Sequence, residues 1–96
     1  MTQRGKTILV IEDEETIADL ARIFLEREGY DVVALRSGEQ ALTWLKDRRA
    51  DLLLLDLGLP DMTGQELLDE LEVRGTALPF IVMTGHGYER NAADLV

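Results

Sequence analysis

The sequence predicts an α/β fold: a parallel sheet with helices on both faces. Three observations lead there. Short apolar runs alternate strictly with stretches of helical periodicity. The runs are apolar almost throughout, as expected of strands buried on both sides. Two of them, Ile8-Leu9-Val10-Ile11-Glu12-Asp13 and Leu52-Leu53-Leu54-Leu55-Asp56, end in carboxylates, and such sheets bind ligands at the carboxyl ends of their strands.

Lys6 to Glu12 reads as the first strand. Ile17, Leu20, Ala21, Phe24 and Leu25 follow at the spacing of one helical face, and that periodicity assigns Leu20, Phe24 and Leu25 to the core. Gly29 stands where a left-handed helix cap belongs, and Tyr30 to Leu35 reads as the second strand. Ser37-Gly38-Glu39-Gln40 has the form of a capping box. It opens a second helix with Ala41, Leu42, Leu45 and the core-covering Trp44, ending in basic Lys46, Arg48 and Arg49. The third strand is Leu52 to Asp56. A loop through Gly58, Pro60 and Asp61 leads to a second capping box, Thr63-Gly64-Gln65-Glu66, and a third helix with Leu67, Leu68 and Leu71. Pro79 precedes a fourth strand, Phe80 to Met83, ending at Thr84, and Glu89 to Val96 reads as the start of a fourth helix.

Composition sets the limits. Ninety-six residues, 46% of them hydrophobic, make one domain with one core, residues 1–96. No cysteine and a single histidine exclude thiol catalysis, a disulfide framework and a zinc site, and suit a cytoplasmic setting. No apolar run approaches the roughly 20 residues that cross a bilayer. A net charge of −9 opposes direct nucleic-acid binding and favours basic partner surfaces and divalent cations. His86 lies between glycines and is assigned no role. Tyr88 reads as a loop aromatic.

A carboxylate delivered by four leucines to the end of a buried strand is expensive unless it performs chemistry or holds a cation. If the first and third strands are parallel neighbours, Glu12, Asp13 and Asp56 meet at one sheet edge as an acidic pocket for a hard divalent cation. A glycine-rich phosphate loop is missing after the first strand, where Glu12 to Glu15 is acidic, so nucleotide binding is disfavoured. A haloacid-dehalogenase-like phosphatase would need a second acid at the position of Gly58.

The pair Glu12-Asp13, Asp56 after its leucine run, the loop Gly58-Leu59-Pro60-Asp61-Met62-Thr63-Gly64, and Val82-Met83-Thr84-Gly85 together resemble the receiver domain of two-component response regulators. The resemblance implies a flavodoxin-like (CheY-like) fold with strand order 2-1-3-4, the family's fifth unit lying beyond this chain. It also implies that Asp56 is a phosphoacceptor, served by a histidine kinase or phosphotransfer protein. Asp13, Asp56 and the Gly58 backbone carbonyl would bind Mg2+, Glu12 would act through water, and Thr84 would be the switch hydroxyl. The domain would not be an enzyme beyond magnesium-dependent self-phosphorylation and dephosphorylation. Helix one would face the kinase, with Ile17 and Leu20 or Ala21 contributing where exposed.

One departure stands against this. The family's fifth-strand lysine and the aromatic switch residue before it have no counterpart in these residues. Lys6 falls roughly 20 Å from the site at about 3.3 Å per residue, and Lys46 sits at a helix end, so neither substitutes. The expectations are therefore a chain truncated after the start of the fourth helix and a sheet edge open to homodimerisation by swapping or strand pairing. The rival reading is a receiver-like binding module that is not phosphorylated.

Overall fold

The computed structural model describes residues 5–83. In chain order the elements are β1 (Thr7–Ile11), α1 (Glu15–Arg27), β2 (Asp31–Leu35), α2 (Gly38–Trp44), β3 (Leu52–Asp56), α3 (Gly64–Val73) and β4 (Phe80–Met83). The strands form one parallel sheet in the order β2-β1-β3-β4, which is the expected order. The expected fourth helix and Thr84 lie outside the described residues. Among the described residues no helix is long and apolar enough to cross a membrane.

Side chains alternate across the sheet. Leu9, Ile11, Leu53 and Leu55 form a buried cluster with Ala41 of α2 and Leu67 and Leu71 of α3, flanked by half-buried Leu42, Trp44 and Leu45. Trp44 thus covers the core as its spacing suggested. Ile8 and Val10 are buried on the opposite face, where α1 lies against β1 and β2.

On α1 the sequence reading needs correction. Leu20 is 53% exposed and Phe24 62%, with Ile23 beside them at 52%. The buried side of the helix is carried by Ala18, with Ile17, Ala21 and Leu25 half-buried. Periodicity locates an apolar arc but not how much sheet lies beneath it, and α1 makes its main sheet contacts with β1 and β2.

Local signals are otherwise followed closely. Gly29 takes φ 94°, and the bonds Gly29 N–H to Glu26 and Tyr30 N–H to Leu25 (3.2 Å) close α1 in a Schellman turn. At α3 the capping box is complete: Thr63 Oγ1 accepts from Glu66 N–H (3.0 Å) while Glu66 Oε1 accepts from Thr63 N–H (2.8 Å). At α2 it is not reciprocal. Ser37 Oγ accepts from Gln40 N–H, but Gln40 Oε1 reaches past Ser37 to Arg36 N–H (2.8 Å). Helix α2 stops at Trp44, so Lys46, Arg48 and Arg49 fall beyond it, with Arg48 stacked over the Trp44 ring.

Gly64 is where a side chain has no room. A Cβ there would meet Leu57 Cδ2 at 2.8 Å, Leu57 Cα at 3.1 Å and the Asp56 carbonyl oxygen at 3.4 Å. Alanine normally favours a helix over glycine, but here the obstruction includes backbone at the exit of β3. Gly64→Ala is expected to destabilise the protein by about 1–3 kcal/mol. Chemical denaturation measures this, and an unchanged or raised midpoint would refute the close approach.

Candidate functional site: an acidic cluster at the carboxyl ends of β1 and β3

β1 and β3 are parallel neighbours with Ile11 opposite Leu55, so each strand presents its next residue, Glu12 and Asp56, at the same edge. Glu12 N–H donates to Leu35 O (3.0 Å), extending the ladder with β2 one residue beyond β1. That bond fixes the backbone from which Glu12 and Asp13 project. Carboxylate oxygens of Glu12, Asp13 and Asp56 all lie within 4.8 Å of one another. The three residues that sequence reasoning singled out are thus brought together.

Their environments differ. Glu12 is 2% exposed, Asp56 is half-buried and Asp13 exposed. Burial pushes the Glu12 carboxyl up to about 7, the Glu14 amide bonded to its Oε2 opposes this, and the neighbouring Asp56 charge raises it further. Asp56 Oδ1 accepts from Gly58 N–H at 3.3 Å, so the loop after β3 orients the carboxylate at its start. Gly58 also forms an antiparallel bridge with Thr63, and Gly64 N–H donates to Leu57 O (2.9 Å).

An all-oxygen donor set of three carboxylates beside an exposed backbone turn suits a hard divalent cation, and magnesium in particular, which keeps several waters. A carboxyl raised to about 7 by burial and a neighbouring negative charge would be favoured in its ionised form by such a cation. Among the described residues no salt bridge reaches Glu12, Asp13 or Asp56. Lys6 precedes β1 at the far end of that strand and Lys46 follows α2, both exposed, so neither serves the cluster.

The residue that sequence reasoning missed is Asp61. Its Oδ1 accepts from Gly38 N–H (3.0 Å) and its Oδ2 from Glu39 N–H (2.8 Å). These two amides hold the Asp61 carboxyl below the usual carboxylate range. Its partners are 23 and 22 residues away, and no local pattern announces them.

The family description "Response regulator receiver domain" matches residues 8–96, and the chain belongs to that family, the receiver domains of two-component response regulators. The chain is 38% identical over 85 residues to the alkaline phosphatase synthesis transcriptional regulatory protein PhoP of Bacillus subtilis, covering 88% of this chain and 35% of the relative. It is 39% identical over 92 residues to the phosphate regulon transcriptional regulatory protein PhoB of Pseudomonas aeruginosa, covering 91% and 39%. The chain therefore spans well under half the length of these curated relatives. Among solved structures it is similar to response regulator TrrA of Thermotoga maritima in complex with Mg2+-BeF. That match has a TM-score of 0.80 and 31% identity, covering 90% of this chain and 75% of that one. Receiver domains of this family accept phosphoryl groups from histidine kinases and bind Mg2+ at an acidic cluster.

The raised Glu12 value makes a pH prediction. Its folded-state pKa lies above the unfolded value of 4.5, so the folded chain binds the extra proton. Without divalent cations, that stabilisation is fully present below about 4.5 and is lost as pH rises through about 7. Thermal melts across this window should show the wild type losing more stability than Glu12→Gln. Parallel pH profiles for the two proteins would refute it.

Proposed function

We propose that this chain is a phosphoacceptor receiver unit in which Asp56 takes a phosphoryl group from a phosphohistidine donor. The observation that carries the reading is the meeting of Glu12, Asp13 and Asp56 within 4.8 Å at the carboxyl ends of β1 and β3. Asp56 is the nucleophile because it ends a buried strand and the Gly58 amide orients it. Its carboxylate oxygen attacks phosphorus, the P–N bond to the donor imidazole breaks, and an acyl phosphate forms. The departing imidazole keeps the bonding pair and takes up a proton.

Asp13, Asp56 and the Gly58 carbonyl would hold Mg2+, with Glu12 acting through water. When bound, the cation supplies neutralisation of charge on the transferring phosphoryl oxygens. Glu12 is buried, and its carboxyl is raised to about 7 by burial and the Asp56 charge; a bound cation would favour its ionised form. Thr84 follows Met83, which pairs with Asp56 in the β3–β4 register. That sequence position supports its assignment as the switch hydroxyl that reads the phosphorylated state. Partners are a histidine kinase or phosphotransfer protein, and the setting is cytoplasmic. The domain accepts and signals, and its own chemistry is limited to magnesium-dependent self-phosphorylation and dephosphorylation.

Incubation with a small-molecule phosphodonor, followed by intact mass, tests this. Wild type with magnesium should gain one phosphoryl adduct, while chelation or Asp56→Asn should abolish it. A folded wild type that gains no adduct would refute the proposal and favour a receiver-like binding module.

A further inference from the structure

We propose that Asp61 is a positioning residue for the cation site: by binding the first amides of α2 it braces the loop that presents the Gly58 carbonyl. The inference rests on the reading of Asp13, Asp56 and Gly58 given above and adds to it what holds the loop-borne ligand in place.

Gly58 has no side chain to fix it. It is exposed, and no heavy atom lies within 4 Å of where its Cβ would be. Its place depends on the loop's attachments to either side. On one side is β3, through the bond from its amide to Asp56 Oδ1. On the other are the bridge to Thr63, buried Leu59 and Asp61. Asp61 makes the long-range polar link, using both carboxylate oxygens on consecutive amides of another helix.

The same two elements also touch through packing. Gly38 is buried, and a Cβ there would overlap Met62 Sδ and Cγ, so loop and helix start are in close contact beside the paired bonds. Ser37 already caps α2 by accepting from Gln40 N–H. Asp61 is therefore a second acceptor at a helix that has one, and it comes from the loop carrying the proposed ligand. A carboxylate on the positive end of a helix is electrostatically favourable and is held to a defined geometry by two bonds. Residues that orient a ligand in this way contribute to metal affinity without touching the metal.

Ser37 supplies the control, because it caps the same helix without belonging to the loop. Magnesium titrations by calorimetry, alongside denaturation midpoints, would compare wild type, Asp61→Ala, Asp61→Asn, Ser37→Ala and Asp56→Asn. Both alanine variants should lose stability. Asp61→Ala should weaken magnesium binding by about ten-fold, and Asp61→Asn, which keeps one acceptor oxygen, by less. Ser37→Ala should bind as wild type does. Equal magnesium affinity in wild type and Asp61→Ala or Asp61→Asn, with Asp56→Asn impaired, would overturn the brace alone. Equal weakening by Ser37→Ala and Asp61→Ala would reduce Asp61 to a helix cap and overturn it too. Magnesium binding indifferent to Asp56→Asn would overturn the site itself and the brace with it.

Discussion

The register of β1 against β3 is the constraint on which the rest of the structure depends. With Ile11 opposite Leu55, both side chains enter the cluster shared with α2 and α3, and the next residue on each strand is an acid. A slip of one residue would send Leu53 and Leu55 to the other face and Asp56 into the apolar layer. The pairing that buries the leucines is thus the pairing that sets Glu12 beside Asp56. Neither can be changed without the other.

Like charges directly opposite on neighbouring strands are destabilising, and this sheet accepts that cost at the carboxyl ends of β1 and β3. Burial of Ile8, Leu9, Val10, Ile11, Leu53 and Leu55 supplies the offset, since each fully buried aliphatic side chain contributes about 1.5–3 kcal/mol. Burial and the Asp56 charge raise the Glu12 carboxyl to about 7, which favours its neutral form and lessens the repulsion, against the opposing pull of the Glu14 amide. A local rule is broken at the acidic cluster, with compensation drawn from the core beneath.

What could be read in the sequence was what local chemistry determines. The Leu52–Asp56 run, Gly29, the Thr63–Glu66 box and the strict alternation of elements all appear where their spacing puts them, because strand burial and helix ends are fixed within a few residues. The cluster of Glu12, Asp13 and Asp56 was legible one step further, since a parallel sheet aligns its strand ends. Leu20 and Phe24 were misread because exposure depends on how much sheet lies under α1, not on helical period. Gln40 was misread more narrowly: the residue types of a capping box were present, yet its amide oxygen found the Arg36 N–H instead. Asp61 was invisible for the same reason on a larger scale, its two partners being set by the fold rather than by neighbours in sequence.

The proposed site divides its parts between rigid and adjustable backbone. Glu12 and Asp56 issue from paired strand ends, where ladder hydrogen bonds leave little freedom. Gly58 issues from a loop, where freedom has to be removed by other means. At the α3 side Gly64 presses against Leu57 and the Asp56 carbonyl, and its amide bonds Leu57 O, tying the helix start to the strand exit. At the α2 side Asp61 and Met62 join the loop to a second helix start. Each end of the loop is therefore held at a helix N-terminus, and both helices rest on the same buried cluster as Leu53 and Leu55. The leucines that place Asp56 also anchor the helices that restrain Gly58, so one apolar layer supports the carboxylates and the loop together.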